Sequence, residues 1–374
     1  MSAPGTGGSG AMGTGGARGT GGSGGQGTGG ISGVGGAAGT GSGGVTGSGG
    51  ATGSGGSGTG GTTGSGGSGS GGAGTGGSGT GGAPWPFSQN IRALWGPSGD
   101  DVWAVGPVGG IAHWNGTAWS GYQPVTSHDL NAIAGNPDGT AWAGGTAGTI
   151  LRWNGSSWAS VGTGTGEDLV DLWVISPTDA WAVGGTAIVH WNGVEWAPFT
   201  PAPNIGATPG YTGVWAAGPD DVYVSHSLLV EPMSSGLQRW DGAQWTSVAG
   251  SWGGASSASL FAVRGSGTSK LWVVGNSFGD CVVYERSGQT WMPVADIPTC
   301  SFGKVVLSSP GPEEIWLRAS PDHAVSKNGQ YRLNDPPISD RSYGLWARST
   351  SDIWIGSQRS TGAGMPWIET RTSP

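Results

Sequence analysis

Residues able to do chemistry are few and scattered. The five histidines, His113, His128, His190, His226 and His323, form no HExxH motif and no close pair, and no Asp-rich calcium loop is present. Neither a metal nor a cofactor is therefore expected. Spacing alone assigns no pair of carboxylates to glycoside cleavage. The two cysteines, Cys281 and Cys300, are compatible with one disulfide in an oxidising compartment and equally with two buried thiols; the count does not choose between them. His113 and His190 stand just before a tryptophan at equivalent places in a repeat, where Arg152 and Arg239 also stand. A slot that takes either residue is expected to be an outward, solvated strand position. Asp100-Asp101 and Asp220-Asp221 are expected to be turn residues ahead of a strand.

Tryptophan is the abundant functional side chain, with 22 copies. Indole faces stack on sugar rings, which opens a glycan-binding reading. Aromatics that recur at fixed repeat positions instead predict packing between neighbouring units, each ring burying about 150–250 Å². Trp252, in Gly250-Ser251-Trp252-Gly253-Gly254, lies outside the pattern and is a candidate binding residue.

The elements that hold these residues are set by a repeat. It is clearest in Asp101-Val102-Trp103-Ala104-Val105-Gly106 followed by His113-Trp114-Asn115-Gly116 and Trp119. It returns at Ala141-Trp142-Ala143-Gly144, Asp179-Ala180-Trp181-Ala182-Val183-Gly184, Asp221-Val222-Tyr223-Val224, Leu271-Trp272-Val273-Val274-Gly275, Glu314-Ile315-Trp316-Leu317 and Asp352-Ile353-Trp354-Ile355-Gly356. A period of roughly 40 residues with four short apolar runs per period predicts propeller blades rather than helical repeats. The runs are rich in Val, Ile and Trp and bounded by Gly, Pro, Asn and Asp, and no stretch has helical periodicity. The expected fold is all-β, a propeller of seven four-stranded blades over residues 84–374. The sixth repeat is the weakest. Asn-Gly and Asp-Gly fit two-residue hairpin turns between strands three and four, in which both central residues need positive φ. That turn also accounts for Asn115-Gly116-Thr117 and Asn154-Gly155-Ser156, which match glycosylation acceptors. The seventh repeat runs out before its fourth strand, and Trp85-Pro86-Phe87 matches Trp196-Ala197-Pro198-Phe199. Residues 84–90 are therefore expected to complete the last blade and protect its edge.

The longest departures from the repeat, Ser225–Gly236, Gly356–Pro366, Thr200–Gly210 and Gly250–Ser256, link strands two and three or one blade and the next. In a four-stranded meander both classes of loop emerge on one face. That face is the expected recognition surface. Its candidate binding residues are Trp252, His128, His226, Glu231, Asp280 and Arg359.

Residues 1–83 are almost wholly Gly, Ser, Thr and Ala, with Arg18 as their one charge. Such a segment cannot bury enough surface to offset its ordering entropy and is expected to be a disordered linker, spanning roughly 50 Å as a flexible coil. The formal net charge of -8 disfavours nucleic acid and anionic membranes as partners. No apolar run approaches the roughly 20 residues of a membrane span. Met1-Ser2-Ala3-Pro4 enters the glycine tract with neither a charged nor an apolar leader region, so an export or lipid-anchor segment is expected upstream.

The tract resembles the spacers of bacterial surface lipoproteins. The repeats resemble bacterial Asp-box β-propellers, Ser287-Gly288-Gln289-Thr290-Trp291 being the nearest local match, although Ala112 and Trp114 occupy the family's Ser and Asp positions in the first repeat. The Val-Trp-Ala-Val-Gly and Trp-Asn-Gly units are equally similar to tectonin-type lectin repeats. Asp-box propellers include sialidases, which need an arginine cluster, a Tyr/Glu pair and an acid/base carboxylate. Arg264 and Arg348 follow first strands of two repeats and are placed to approach the axis, but no third arginine stands in register and no Tyr/Glu nucleophile pair is assigned. The resemblance thus implies a non-enzymatic, monomeric recognition domain displayed outside the cell, with a glycan or a protein as ligand. A sialidase-like or other polysaccharide-cleaving hydrolase and a structural spacer are the alternatives.

Overall fold

The computed structural model describes residues 91–200, 202–205, 208–228, 235–250, 259–266, 270–277, 280–288, 290–297, 306–311, 314–318, 323–327, 330–334, 341–349, 352–358 and 367–371. Among them are seven antiparallel sheets and one helical element, a 3-10 turn at Thr146–Gly148. Each sheet is a meander in chain order. Blade 1 comprises Ala93–Ser98, Asp101–Val105, Ile111–Trp114 and Trp119–Gly121. Blade 2 comprises Leu130–Gly135, Ala141–Gly145, Ile150–Trp153 and Trp158–Val161, and blade 3 Asp171–Ser176, Asp179–Gly184, Ala187–Trp191 and Trp196–Pro198. Blade 4 has longer strands: Pro209–Gly218, Asp221–Leu228, Ser235–Trp240 and Trp245–Val248. Blade 5 comprises Ser259–Ser266, Lys270–Ser277, Asp280–Ser287 and Thr290–Ile297. The weak sixth repeat forms a full sheet, Val306–Gly311, Glu314–Arg318, His323–Lys327 and Gln330–Asn334. Blade 7 has three strands among the described residues, Arg341–Ser349, Asp352–Gln358 and Trp367–Arg371. The fourth strand expected from residues 84–90 lies outside the described residues, as does the glycine-rich segment.

Strand one of each blade packs on strand one of the next, and strand one of blade 7 packs on that of blade 1. The ring therefore closes as a β-propeller. The register repeats seven times. Trp95, Ala134, Trp173, Trp215, Arg264, Ser308 and Trp346 on strand one face Trp103, Trp142, Trp181, Tyr223, Trp272, Trp316 and Trp354 on strand two.

These two rows explain the tryptophan content. Strand-two rings fill the wedges between blades. Trp103 meets Trp153 and Trp158 of blade 2 at 4.7 and 5.2 Å, and Trp142 meets Trp191 and Trp196 of blade 3 at 4.9 and 5.3 Å. Trp354 of blade 7 meets Trp114 and Trp119 of blade 1 at 6.2 and 6.1 Å, so the closing seam uses the same joint. Strand-one side chains brace the next blade one residue further along. The Trp95 ring lies over Gly135, where a Cβ would come within 2.6 Å of it, and the Trp215 ring lies likewise over Gly265 at 2.5 Å. Trp173 donates its indole N–H to the Ala216 carbonyl at 3.0 Å, and Ser308 Oγ accepts the Ala347 N–H at 2.9 Å. Where strand one has Ala134 instead of Trp, the next blade has Val174 instead of glycine, and the two share one buried cluster. Volume removed on one side of the joint is restored on the other.

Three local expectations are corrected. Between strands three and four of blades 1–4, Trp114 pairs with Trp119, Trp153 with Trp158, Trp191 with Trp196 and Trp240 with Trp245, which leaves four-residue connections rather than two-residue turns, whereas in blades 5 and 6 Ser287 pairs with Thr290 and Lys327 with Gln330, which leaves the expected two residues. Only the glycines there have positive φ; Asn115 Oδ1 accepts the N–H groups of Thr117 and Ala118, an Asx cap that replaces the second left-handed residue. The His/Arg slot is half-buried. His113 stacks on Trp103 at 4.1 Å and bonds Asp101 at 2.7 Å; His190 repeats this with Trp181 and Asp179, and Arg239 with Tyr223 and Asp221. Asp101 and Asp221 are accordingly the first residues of strand two, not turn residues, and bond the His113 imidazole and the Arg239 guanidinium of strand three.

Candidate functional site

Seven first strands converge on an axial cavity of about 590 Å³. Its aromatic lining comes from Trp95, Trp173, Trp346, Tyr211 and Phe261. Tyr211 is buried, and burial pushes its phenol up to about 12.

Both lining arginines already have carboxylate partners. Arg264 of blade 5 turns back past blade 4 to grip Asp171 of blade 3 through two bonds of 2.8 Å, while also donating to the carbonyls of Val214 and Val263. Its guanidinium lies 5.6 Å from the Trp173 ring. The pair is mostly buried, each side chain 15% exposed. At the start of strand one, Arg92 bonds Asp129 at 2.7 Å and Asn131 at 2.6 Å across to blade 2. An arginine cluster free to take a carboxylate sugar is thus not assembled from these residues. Arg348 is exposed and is not in the cavity lining.

Around the end of the cavity where chain enters strand one, blades 1 and 2 carry the same loop twice. Gly106-Pro107-Val108-Gly109-Gly110 matches Gly145-Thr146-Ala147-Gly148-Thr149, and Thr126-Ser127-His128-Asp129-Leu130 matches Thr165-Gly166-Glu167-Asp168-Leu169. Val108 and Ala147 have positive φ, 54° and 53°, each followed by a left-handed glycine. Asp129 Oδ1 accepts the Val108 N–H at 2.9 Å, and Asp168 Oδ1 accepts the Ala147 N–H at 2.8 Å. A Cβ on Gly109 or Gly148 would sit 2.0 Å from the Thr126 or Thr165 carbonyl. Each blade is thereby clasped by the segment that leads into the next. The signal is present in the sequence as two Thr-x-(His/Glu)-Asp-Leu stretches. It was missed because it lies between the tryptophan units rather than in them.

The predicted site residues are only partly brought together. His128 is exposed on the clasp, its Nδ1 2.7 Å from Thr149 Oγ1. His226, expected on a recognition loop, lies instead inside strand two of blade 4, paired with Tyr211 and Gly236 and 5% exposed. Among the described residues neither ring nitrogen has a partner, and burial pulls its pKa down to about 4. It stands there because blade 4 extends its first two strands beyond the point where blades 1–3 turn. Asp280 opens strand three of blade 5 opposite Ser277, and Cys281 faces Asn276 in the same ladder. Trp252, Glu231, Arg359 and Cys300 lie outside the described residues.

No protein-family model matches the chain, and no curated protein matches it. Solved propellers do. YCF48 bound to D1 peptide has a TM-score of 0.55 at 14% identity, over 77% of this chain and 95% of that one. The extracellular domain of the putative one component system BT4673 from B. thetaiotaomicron has 0.56 at 12% identity, over 75% of this chain and 38% of that one. The WD40 β-propeller domain of Doa1 has 0.56 at 13% identity, over 75% and 92%. At these identities the likeness establishes the propeller fold and nothing narrower.

Proposed function

We propose that this chain is a non-catalytic recognition domain that takes a polypeptide segment at the axial cavity, and that the glycine-rich stretch serves as a tether holding it outside the cell. The observation that carries this reading is the cavity's chemistry: aromatic walls, with each lining arginine already bound to a carboxylate. Such a site favours apolar and uncharged groups over anions. Its volume suits a few side chains rather than a macromolecular duplex. The peptide bound by the structurally similar YCF48 supports the choice of polypeptide over glycan.

The test presents the full chain to a display library of random dodecapeptides and, in parallel, to an array of neutral and acidic glycans. Peptides should be enriched, and Phe261→Ser in the cavity wall should weaken them at least ten-fold without lowering the melting temperature. Binding to glycans alone, lost in Trp252→Ala, overturns the reading in favour of a lectin. Turnover of a glycan overturns it in favour of a hydrolase.

A further inference from the structure

Val108 breaks two rules at once. A β-branched residue at positive φ is strained, and blade 3, whose loop is one residue shorter, makes its left-handed residue a glycine, Gly185 with φ 52°. Val108 is also 57% exposed, a large apolar side chain held in water. Its backbone is fixed by Asp129, which Arg92 ties in turn to the cavity wall. The neighbouring segment adds Val125, 43% exposed, one residue before the Thr126 carbonyl that covers Gly109. The same bonded path continues from Asp129 to Thr146 and Ala147 and ends at Asp168. Asp168 is exposed, and Glu167 beside it is half-buried; among the described residues no arginine or lysine is bonded to either, whereas Asp129 is neutralised by Arg92.

We infer that Val108 and Val125 form a docking spot for an apolar side chain of a polypeptide partner, and that Asp168 and Glu167 receive a basic residue next to it. The inference rests on the reading of the domain as a polypeptide binder and names the partner's chemistry. Burial of Val108 by the partner gives the strained valine a function that glycine would not supply. The acidic pair sets the sign of the neighbouring partner residue.

The dodecapeptides enriched on the full chain decide it. They should share an apolar residue adjacent to Lys or Arg. Val108→Gly should weaken them about ten-fold while melting no lower than the parent, because glycine suits the left-handed backbone. Asp168→Asn should weaken them several-fold and flatten the dependence on salt. Val194→Asp, at an exposed valine in a strand-three-to-four turn, should change nothing. Peptides that are sensitive to Phe261→Ser but indifferent to Val108→Gly overturn this inference and leave the cavity reading standing. Peptides without a basic neighbour also overturn it. Failure to enrich any peptide overturns both.

Discussion

His226 stands where the repeat puts glycine. Three residues after the strand-two aromatic, blades 1, 2, 3 and 5 have Gly106, Gly145, Gly184 and Gly275. In blades 2 and 3 that glycine is required, since a Cβ would meet the Asp129 or Asp168 carbonyl at 1.9 or 2.1 Å. Blade 4 carries an imidazole there, accommodated because Gly236 opposite has no side chain: a Cβ would come within 2.8 Å of Nε2. The buried ring resists protonation, with a pKa near 4 against an ordinary 6.5. In the unfolded chain it takes a proton as pH falls through 6.5; in the folded chain it does not until about 4. Folding stability is therefore unaffected above pH 6.5 and is lost progressively from 6.5 to 4, reaching about 3 kcal/mol at 1.36 kcal/mol per pKa unit. Urea unfolding at pH 7.5, 6.0, 5.0 and 4.5, run in parallel on His226→Leu, isolates this contribution from the carboxylates. The variant should match or exceed the parent at pH 7.5, because two unsatisfied nitrogens are removed, and should lose about 2–3 kcal/mol less on going to pH 4.5. Parallel pH profiles for the two proteins would refute the reasoning.

Other joints make equally specific demands. Arg264→Met leaves Asp171 buried without its cation and should cost about 3–5 kcal/mol by urea unfolding, whereas adding Asp171→Asn should recover part of the loss in a double-mutant cycle. Gly135→Ala drives a methyl into the Thr140 carbonyl at 2.3 Å and the Trp95 ring at 2.6 Å and should cost about 1–3 kcal/mol, while Gly162→Ala, with nothing within 4 Å, should stay within about 0.5 kcal/mol in the same assay. Deleting residues 84–90 should unfold or oligomerise the domain on a sizing column. Deleting 1–80 should do neither, and equal behaviour of the two would remove residues 84–90 from the propeller.

The architecture was legible because a propeller writes itself into sequence at every blade. The strand-two tryptophans, their following glycines and the Trp-Asn-Gly turns recur at a fixed period, and each copy repeats the same packing requirement. The strand-one brace was legible only in part: Trp95, Trp173 and Trp215 are visible as repeats, but their dependence on Gly135, Ala216 and Gly265 of the next blade is a contact across some 40 residues. The Asp101–His113 pair escaped because it depends on antiparallel pairing: Asp101 starts strand two and His113 stands near the end of strand three, and only the folded sheet brings them side by side. The Arg264–Asp171 strut was wholly hidden. Arg264 is in register with six residues that brace forward or pack locally, and nothing in its type reveals that it turns backward past a whole blade. His226 was misplaced for a related reason: a histidine near a long insertion suggests a loop, whereas the longer strands of blade 4 carry it into the sheet.

Ile91 constrains how the ring is completed. It is fully buried against Gly356 of blade 7, the place that Leu130 and Leu169 occupy where the chain enters blades 2 and 3. In the described blades, strand four reaches this staple through residues 122–129, 162–168, 199–210 and 249–259. A closing strand in the register of Trp196–Pro198 would be Trp85–Phe87, which leaves only residues 88–90 before Ile91. Strand four and strand one are separated by three inter-strand spacings, about 14 Å. Three connecting residues give four Cα steps, about 13–14 Å when nearly extended. The proposed closure would therefore require a taut connection. Such a connection would have no slack for the Thr-x-x-Asp clasp of blades 1 and 2, and a strand longer than three residues would overrun it. Blades 1 and 3 already manage with three-residue fourth strands, Trp119–Gly121 and Trp196–Pro198. Among the described residues, the seam at blade 7 is thus held by the Trp354 wedge and the Ile91 staple, and a closing strand, as proposed, would cover an edge rather than supply the joint.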